Sequence, residues 1–470
     1  QGSPVNRQVI RTNPWRERKP LCGLCSYQPV VPPYYSAFTV GGTMKPTIVT
    51  SHRWFNRNVF AIGLTSLLGD FCHEMATSIL PQFMQVIGAS AAALGFIEGV
   101  ADALSSFVKL GAGYHSDKIG HRKTWAVIGY ALTAISKAVF AFAFAWPLIL
   151  LGRAVGWLGR GIRSPLRDAI LAESVSPQDR GKAFGFHRAG DTLGAIIGPL
   201  AAFGLLSFIS THPTILQSFG HWFPSLARAA GGTFRIIFLL TLVPGLLSVM
   251  TMAFLVTEKK RTPNHNLRFW STVYQAMPKD YRSFLLGVGL FGIADFAPTL
   301  MILRATTVLE PQMGILEASR LATLFYLFRN ILYSAASYPI GHFSDRFSRT
   351  RYLATGYGIA VITFLGFAFA FPSVIWFVIF FGLAGIFIAW EDTIEGTAVR
   401  DYVGEDLAGT AYGVLGTVNG VGDFGSSLVV GLLWTYLGPS WGFGYAVVIG
   451  LAGTILMWRT PGRICYLERK

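Results

Sequence analysis

The sequence predicts an all-α membrane protein of twelve transmembrane helices in two pseudo-symmetric six-helix bundles. Three observations lead there. Hydrophobic residues make up 52% of the chain and charged residues only 13%, about half the charge of an average soluble domain. The apolar residues gather in runs of roughly twenty, the length that crosses a bilayer core as a helix. A charged segment also occurs twice, 228 positions apart: Gly113 to Lys123 and Gly341 to Arg351 each place an aspartate four residues after a glycine, then a basic cluster.

The expected spans are residues 56–87, 90–112, 124–145, 147–170, 183–209, 233–256, 283–306, 317–340, 352–371, 374–398, 408–435 and 441–459. Their apolar runs are continuous rather than alternating, which favours helices over barrel strands. The 52 glycines suit close helix packing in lipid. Residues 1–53 form a basic, proline-containing tail that is expected to be disordered, with Met44 a candidate start. It holds no apolar core of a secretory signal. The N-terminal bundle is expected over 54–256, a polar cytoplasmic linker over 257–282, the C-terminal bundle over 283–460 and a short tail over 461–470.

The net charge of +15 does not mark a nucleic-acid partner, because the basic residues sit in every second loop. Lys118, Arg122 and Lys123 form one group, Lys259, Lys260 and Arg261 another, and Arg346, Arg349 and Arg351 a third. This pattern places both termini in the cytoplasm. The partners to expect are a small-molecule substrate, protons and membrane lipid, with the chain a monomer. Cys22 and Cys25 form a lone C-x-x-C, with Cys72 and Cys465 far away, so no metal site is expected. There is no phosphate-binding glycine loop and no Ser-His-Asp arrangement, so no enzyme and no cofactor are expected. Energy must come from gradients.

The duplication extends beyond the charged loops. Arg180 to Gly185 aligns with Ala408 to Gly413 at the same offset of 228. Span 2 therefore corresponds to span 8, and span 5 to span 11. Parallel halves of this kind form transporters with a site between them at the midplane.

On these residues the chain resembles the major facilitator superfamily, over about 54–460. The loop after span 2 carries its motif in Gly113, Asp117, Gly120, Arg122 and Lys123. The second copy has Gly341, Asp345 and Arg346, with Ser348 where the later glycine would stand. Gly152-Arg153 with Gly159 and Gly161 is similar to the span-4 motif, although Gly156 replaces a common glutamine. Gly185, Gly194 and Gly198-Pro199 are similar to the signature of the antiporter branch, with Ala202 and Phe203 in place of the usual glycine pair. The resemblance implies the major facilitator fold and secondary transport by alternating access. It also implies a conformational latch at the paired loops, where Asp117 meets a helix N-terminus, and a span-5 hinge at Gly194, Gly198 and Pro199.

Ionisable residues inside a membrane are costly and usually functional. Asp70, His73 and Glu74 share one face of span 1, about 20 Å from its start at about 1.5 Å per residue. Glu98 and Asp102 share a face of span 2, Arg153 lies on span 4, and His187, Arg188 and Asp191 open span 5. Asp295 lies on span 7 and Asp423 on span 11. A carboxylate in such a site can hold a proton until substrate displaces it. Asp70 and Glu74 are therefore expected as proton carriers, with Asp295 and Asp191 facing them. A fixed ion-pair network is the structural alternative. Arg163 and Arg167 align with Glu391 and Glu395 across the repeat. They are expected to attract across the cytoplasmic mouth as a gate, unless each pairs locally, as Arg167 could with Asp168.

The function expected is proton-coupled export of a small organic solute across the inner or plasma membrane. Two alternatives stay open. One is an importer or uniporter of an anionic metabolite, with Arg153, Arg188 and Arg304 as counter-charge. The other is a transporter-like subunit or sensor that moves nothing.

Overall fold

The computed structural model describes residues 54–119, 121–176, 179–258, 274, 277–344, 347–403 and 408–461. The tail expected over 1–53, most of the linker and nearly all of the C-terminal tail lie outside the described residues. So do Gly120, Asp345 and Arg346 of the expected latch, and the side chain of Asp117.

The described chain is helical. Span 1 is α1 (Arg57–Thr77) followed by a short α2 (Leu80–Val86). The Asn56 side chain caps α1, accepting the Val59 N–H at 3.1 Å, as a helix start requires. Spans 2 to 5 are α3 (Ala91–Ile119), α4 (Lys123–Ala141), α5 (Trp146–Glu173) and α6 (Arg180–Thr211). Two short helices follow, α7 (Pro213–Trp222) and α8 (Pro224–Arg228), in a stretch expected to be loop. Each opens on a proline, which suits a first helical turn, and α7 buries none of its residues. Span 6 is α9 (Gly232–Leu240), α10 (Leu242–Met250) and a π-helical turn to Leu255.

The second half begins with α11 (Lys279–Gly292), and then the helix breaks over 293–297. Next comes α12 (Pro298–Ser344), two limbs joined at Gly314, whose φ of 80° is left-handed backbone that favours glycine. The first limb completes span 7 and the second is span 8. The chain finishes with α13 (Arg349–Ala368), α14 (Val374–Tyr402), α15 (Ala408–Leu437) and α16 (Pro439–Arg459).

Seven of these stretches are long and apolar enough to span a membrane by composition, corresponding to spans 2, 3, 5, 6, 9, 10 and 12. Three of the other five are broken or polar for a reason. Span 1 carries Asp70, His73 and Glu74; span 4 carries Arg153, Arg160, Arg163 and Arg167; span 7 is interrupted.

Close approach of helices is made by glycine. A Cβ at Gly194 or Gly198 of α6 would collide with backbone atoms of Leu67, Phe71 or Met75 on α1. Nor does Pro199 break α6, which runs unbroken from Arg180 to Thr211. The expected hinge residues are thus, in this conformation, the contact surface on which α1 and α6 lie together. Between the halves, α3 packs on α15 in the same way, with Gly95 against Ser427 and Gly420 against Ser106. The Ala92 N–H donates to Thr435 Oγ1 at 2.8 Å on this seam.

Candidate functional site

A cavity of 370 Å³ lies between the halves. From the first half α1 contributes Asp70, His73, Glu74 and Thr77, and α3 contributes Glu98 and Asp102. Arg153, Trp157 and Arg160 come from α5, and Arg188, Asp191 and Thr192 from α6. The second half supplies Thr299 beside the helix break, and Tyr326, Arg329, Asn330 and Tyr333 from α12. Asp392 comes from α14.

The first-half charges are largely paired. Arg153 holds Glu98 in a fork, with Nη2 at 2.6 Å and 2.8 Å from the two carboxylate oxygens and Nε at 3.1 Å. Its Nη1 donates to Thr77 at 3.1 Å. Both side chains are 2% exposed, so each compensates a charge that burial alone would make prohibitive. Asp70 lies 3.4 Å from Arg163 and 3.9 Å from Arg160. The Arg160 guanidinium lies over the Trp157 ring at 5.3 Å, and His73 meets the same ring edge-on. The Nδ1 of His73 has no partner.

Glu74 reaches the other half: the Tyr326 hydroxyl donates to its Oε2 at 2.8 Å. Asn330 likewise donates to the Ala195 carbonyl of α6 at 3.2 Å. Tyr333 donates to Asp392 at 2.8 Å.

Below the cavity a second network ties α1, α5 and α6. Ser66 Oγ is 2.8 Å from His187 Nδ1, and His187 Nε2 is 3.3 Å from Asp191. The sequence had suggested no serine–histidine–aspartate set. Here Arg167 also donates to Ser66 Oγ at 3.2 Å, so the hydroxyl is engaged inside a buried brace. Outside the span, Lys182 and then Ser176 donate to Asp179 and hold its carboxyl below the usual carboxylate range.

Some expected residues lie elsewhere. Asp295 does not line the cavity: it sits in the helix break, where the Ser426 hydroxyl takes its carbonyl. It still lies within electrostatic reach of the cavity residues Arg329, Asp392 and Asp102, and of Glu395. Arg304 is also outside the cavity and donates to the Phe367 carbonyl at 3.3 Å. The expected gate is paired locally. Arg163 stacks on Tyr130 at 4.2 Å and meets Asp70, and Arg167 pairs with Asp168 at 3.0 Å. Glu395 accepts from Tyr357 at 2.5 Å and from Asn419 at 2.7 Å. Among the described residues no contact joins these arginines to Glu391 or Glu395: both arginines and Glu395 meet partners in their own half, and Glu391 Oε2 has none. At the expected latch, Arg122 pairs with Glu173 at 2.5 Å. The Arg122 and Lys123 amides donate to Glu258 at 2.6 Å and 3.1 Å.

Sequence reasoning passed over Arg160, Arg329, Asn330 and Asp392, and it assigned no aromatic residue to a site. Arg329-Asn330 within an apolar span was a usable signal. The aromatic residues carried none, since 37 phenylalanines and 12 tryptophans make a single ring uninformative.

A sequence model described as Major Facilitator Superfamily matches residues 62–309 and 283–463. The chain belongs to the major facilitator superfamily. An uncharacterised MFS-type transporter of Methanocaldococcus jannaschii is 29% identical over 408 residues, 86% of this chain and 95% of that protein. The Multidrug resistance protein 2 of Bacillus subtilis is 25% identical over 156 residues, 32% of this chain and 38% of that one. Among solved structures, the nucleoside transporter NupG superposes with a TM-score of 0.65 at 15% identity, covering 87% of this chain and all of that one. A bacterial homolog of the human lysosomal transporter Spinster, inward-facing and occupied, gives 0.66 at 16%, covering 86% and 96%. These likenesses carry the fold. As a major facilitator protein the chain is an integral membrane transporter of small-molecule substrate, not an enzyme.

Proposed function

We propose that this transporter exports a small organic solute in exchange for protons, with Asp70 and Glu74 as the proton carriers. The observation that carries the reading is the position of Glu74. It projects from α1 into the cavity and bonds Tyr326 of the opposite half. Protonation there alters a contact between the halves and a cavity charge together, which is what coupling requires. Asp70 lies one turn away on the same cavity wall. The Bacillus relative is named for multidrug resistance, which supports the outward direction. Basic residues in every second loop, and so on one side, support cytoplasmic termini and an inner or plasma membrane location for a monomer of two bundles, 54–256 and 283–460. Asp117 and its loop would then latch the cytoplasmic side. The anionic-import alternative has lost ground, since Glu98 neutralises Arg153 and Arg304 lies off the cavity.

The test uses proteoliposomes enclosing a pH-sensitive dye and a solute found by a thermal-shift screen. Solute moving down its gradient should drive protons the opposite way. Solute flux with no proton movement would refute the coupling.

A further inference from the structure

We infer that the cavity is built for a zwitterion, a free amino acid or a dipeptide-sized solute with one ammonium and one carboxylate. This rests on the cavity being the transport site proposed above. Most lining charges already have a partner. Glu98 is taken by Arg153, Asp70 by Arg163 and Arg160, and Asp191 by His187 and Arg167. Asp392 accepts from Tyr333 and lies within electrostatic reach of Arg188.

Glu74 accepts from Tyr326, and Arg188 is exposed. Asp102 and Arg329 are left, one on each half, with opposite charges only at electrostatic reach: Arg153 and Lys109 for Asp102, Asp295 and Glu74 for Arg329. On α3, Asp102 lines the cavity one turn from Glu98 and has no hydrogen bond or ion pair among the described residues. On α12, Arg329 is 9% exposed, and its Nε has no partner among the described residues. Its Nη1 reaches only the Asn330 side chain, at 3.0 Å. Nearby on the same half, Thr299 Oγ1 is also without a partner and its residue is 1% exposed.

Arg329 and Thr299 are buried and Asp102 is half-buried, and buried polar groups want partners. A carboxylate suits the planar Arg329 fork, which donates two parallel hydrogen bonds. An ammonium suits Asp102. A ligand with only a positive charge would leave the Arg329 donors unfilled, and one with only a negative charge would leave the Asp102 acceptors so. The 370 Å³ volume falls at the lower end of the small-ligand range of about 300–1,000 Å³. Trp157, Tyr326 and Tyr333 offer ring surface to an apolar side chain between the two charges.

The test measures the melting shift of the purified full-length protein with free amino acids and dipeptides at millimolar concentration. Each compound is paired with its C-terminal amide and its N-acetyl form. The expected result is that at least one free compound binds tenfold or more tighter than both blocked forms. In Arg329→Gln the preference for the carboxylate over the amide should vanish. In Asp102→Asn the preference for the free amine over the N-acetyl form should vanish. If Arg329→Gln does not fold, Arg329→Lys serves, because it keeps the charge and loses the fork. Equal binding of blocked and free forms, or no shift from any compound, overturns the inference. The coupling reading is scored separately: selective zwitterion binding without proton movement defeats coupling alone, and proton-driven flux of singly charged solutes defeats the zwitterion alone.

Discussion

Tyr326 donates its hydroxyl to Glu74 at 2.8 Å, joining α12 to α1 across the cavity. Few contacts between the halves involve an ionisable group, and this one lies on the cavity wall. It links the occupancy of a carboxylate to the fit of the two bundles. A neutral Glu74 accepts less strongly than a charged one, so loading a proton loosens the seam at that point.

Tyr326→Phe removes the donor and leaves the carboxylate in place. A hydrogen bond to a charged group contributes about 1.5–3 kcal/mol. The balance between conformations should therefore shift roughly tenfold or more toward separated halves. Spin-label distances between α1 and α12 will show this, and an unchanged distribution would mean the contact does not hold the halves.

The Arg153–Glu98 pair should behave as a buried unit. Arg153→Met or Glu98→Gln alone leaves an uncompensated partner and should cost about 3–5 kcal/mol. The double replacement by Met at both positions should recover most of that loss. Melting temperatures in one detergent will decide, and simple additivity of the single losses would count against the pairing.

Gly194→Ala forces a methyl group into the Leu67 carbonyl, so α1 and α6 must part. Overpacking of this kind costs about 1–3 kcal/mol. Gly204, on the same helix, has nothing within 4 Å of its Cβ position. Gly204→Ala should be neutral or slightly stabilising, since alanine is the better helix former. Equal effects at the two positions would remove the close-approach account.

Local pairing of the arginines makes a further prediction. Arg167 meets Asp168 and Asp191, and Glu395 meets Tyr357 and Asn419. Swapping charges in Arg167→Glu with Glu395→Arg should not restore transport lost in the single variants. Recovery of flux would place a cross-mouth pair in another conformation of the cycle.

Much of this fold was legible because it rests on periodic apolar runs and on an internal repeat. The interruptions were not. The break at 293–297 is supported from 130 and 131 positions away, where Ser427 Oγ accepts the Ala297 N–H and Ser426 takes the Asp295 carbonyl. Local sequence cannot report such partners. The same holds for the site. Asp70, His73 and Glu74 were legible from spacing on one helix, whereas the capture of Glu98 by Arg153 depends on how α3 meets α5. Asp295 was expected to face Asp70 and Glu74 but lies in the helix break, off the cavity lining. Depth along a helix is readable from a sequence; the direction a broken helix presents is not.

The most direct measurement is uphill solute movement driven by an imposed pH gradient in proteoliposomes, with Asp70→Asn and Glu74→Gln beside the unaltered protein. The account predicts accumulation by the unaltered protein. It predicts none by either variant, while both still bind the solute and equilibrate it down its own gradient. Undiminished uphill movement by both variants would contradict it.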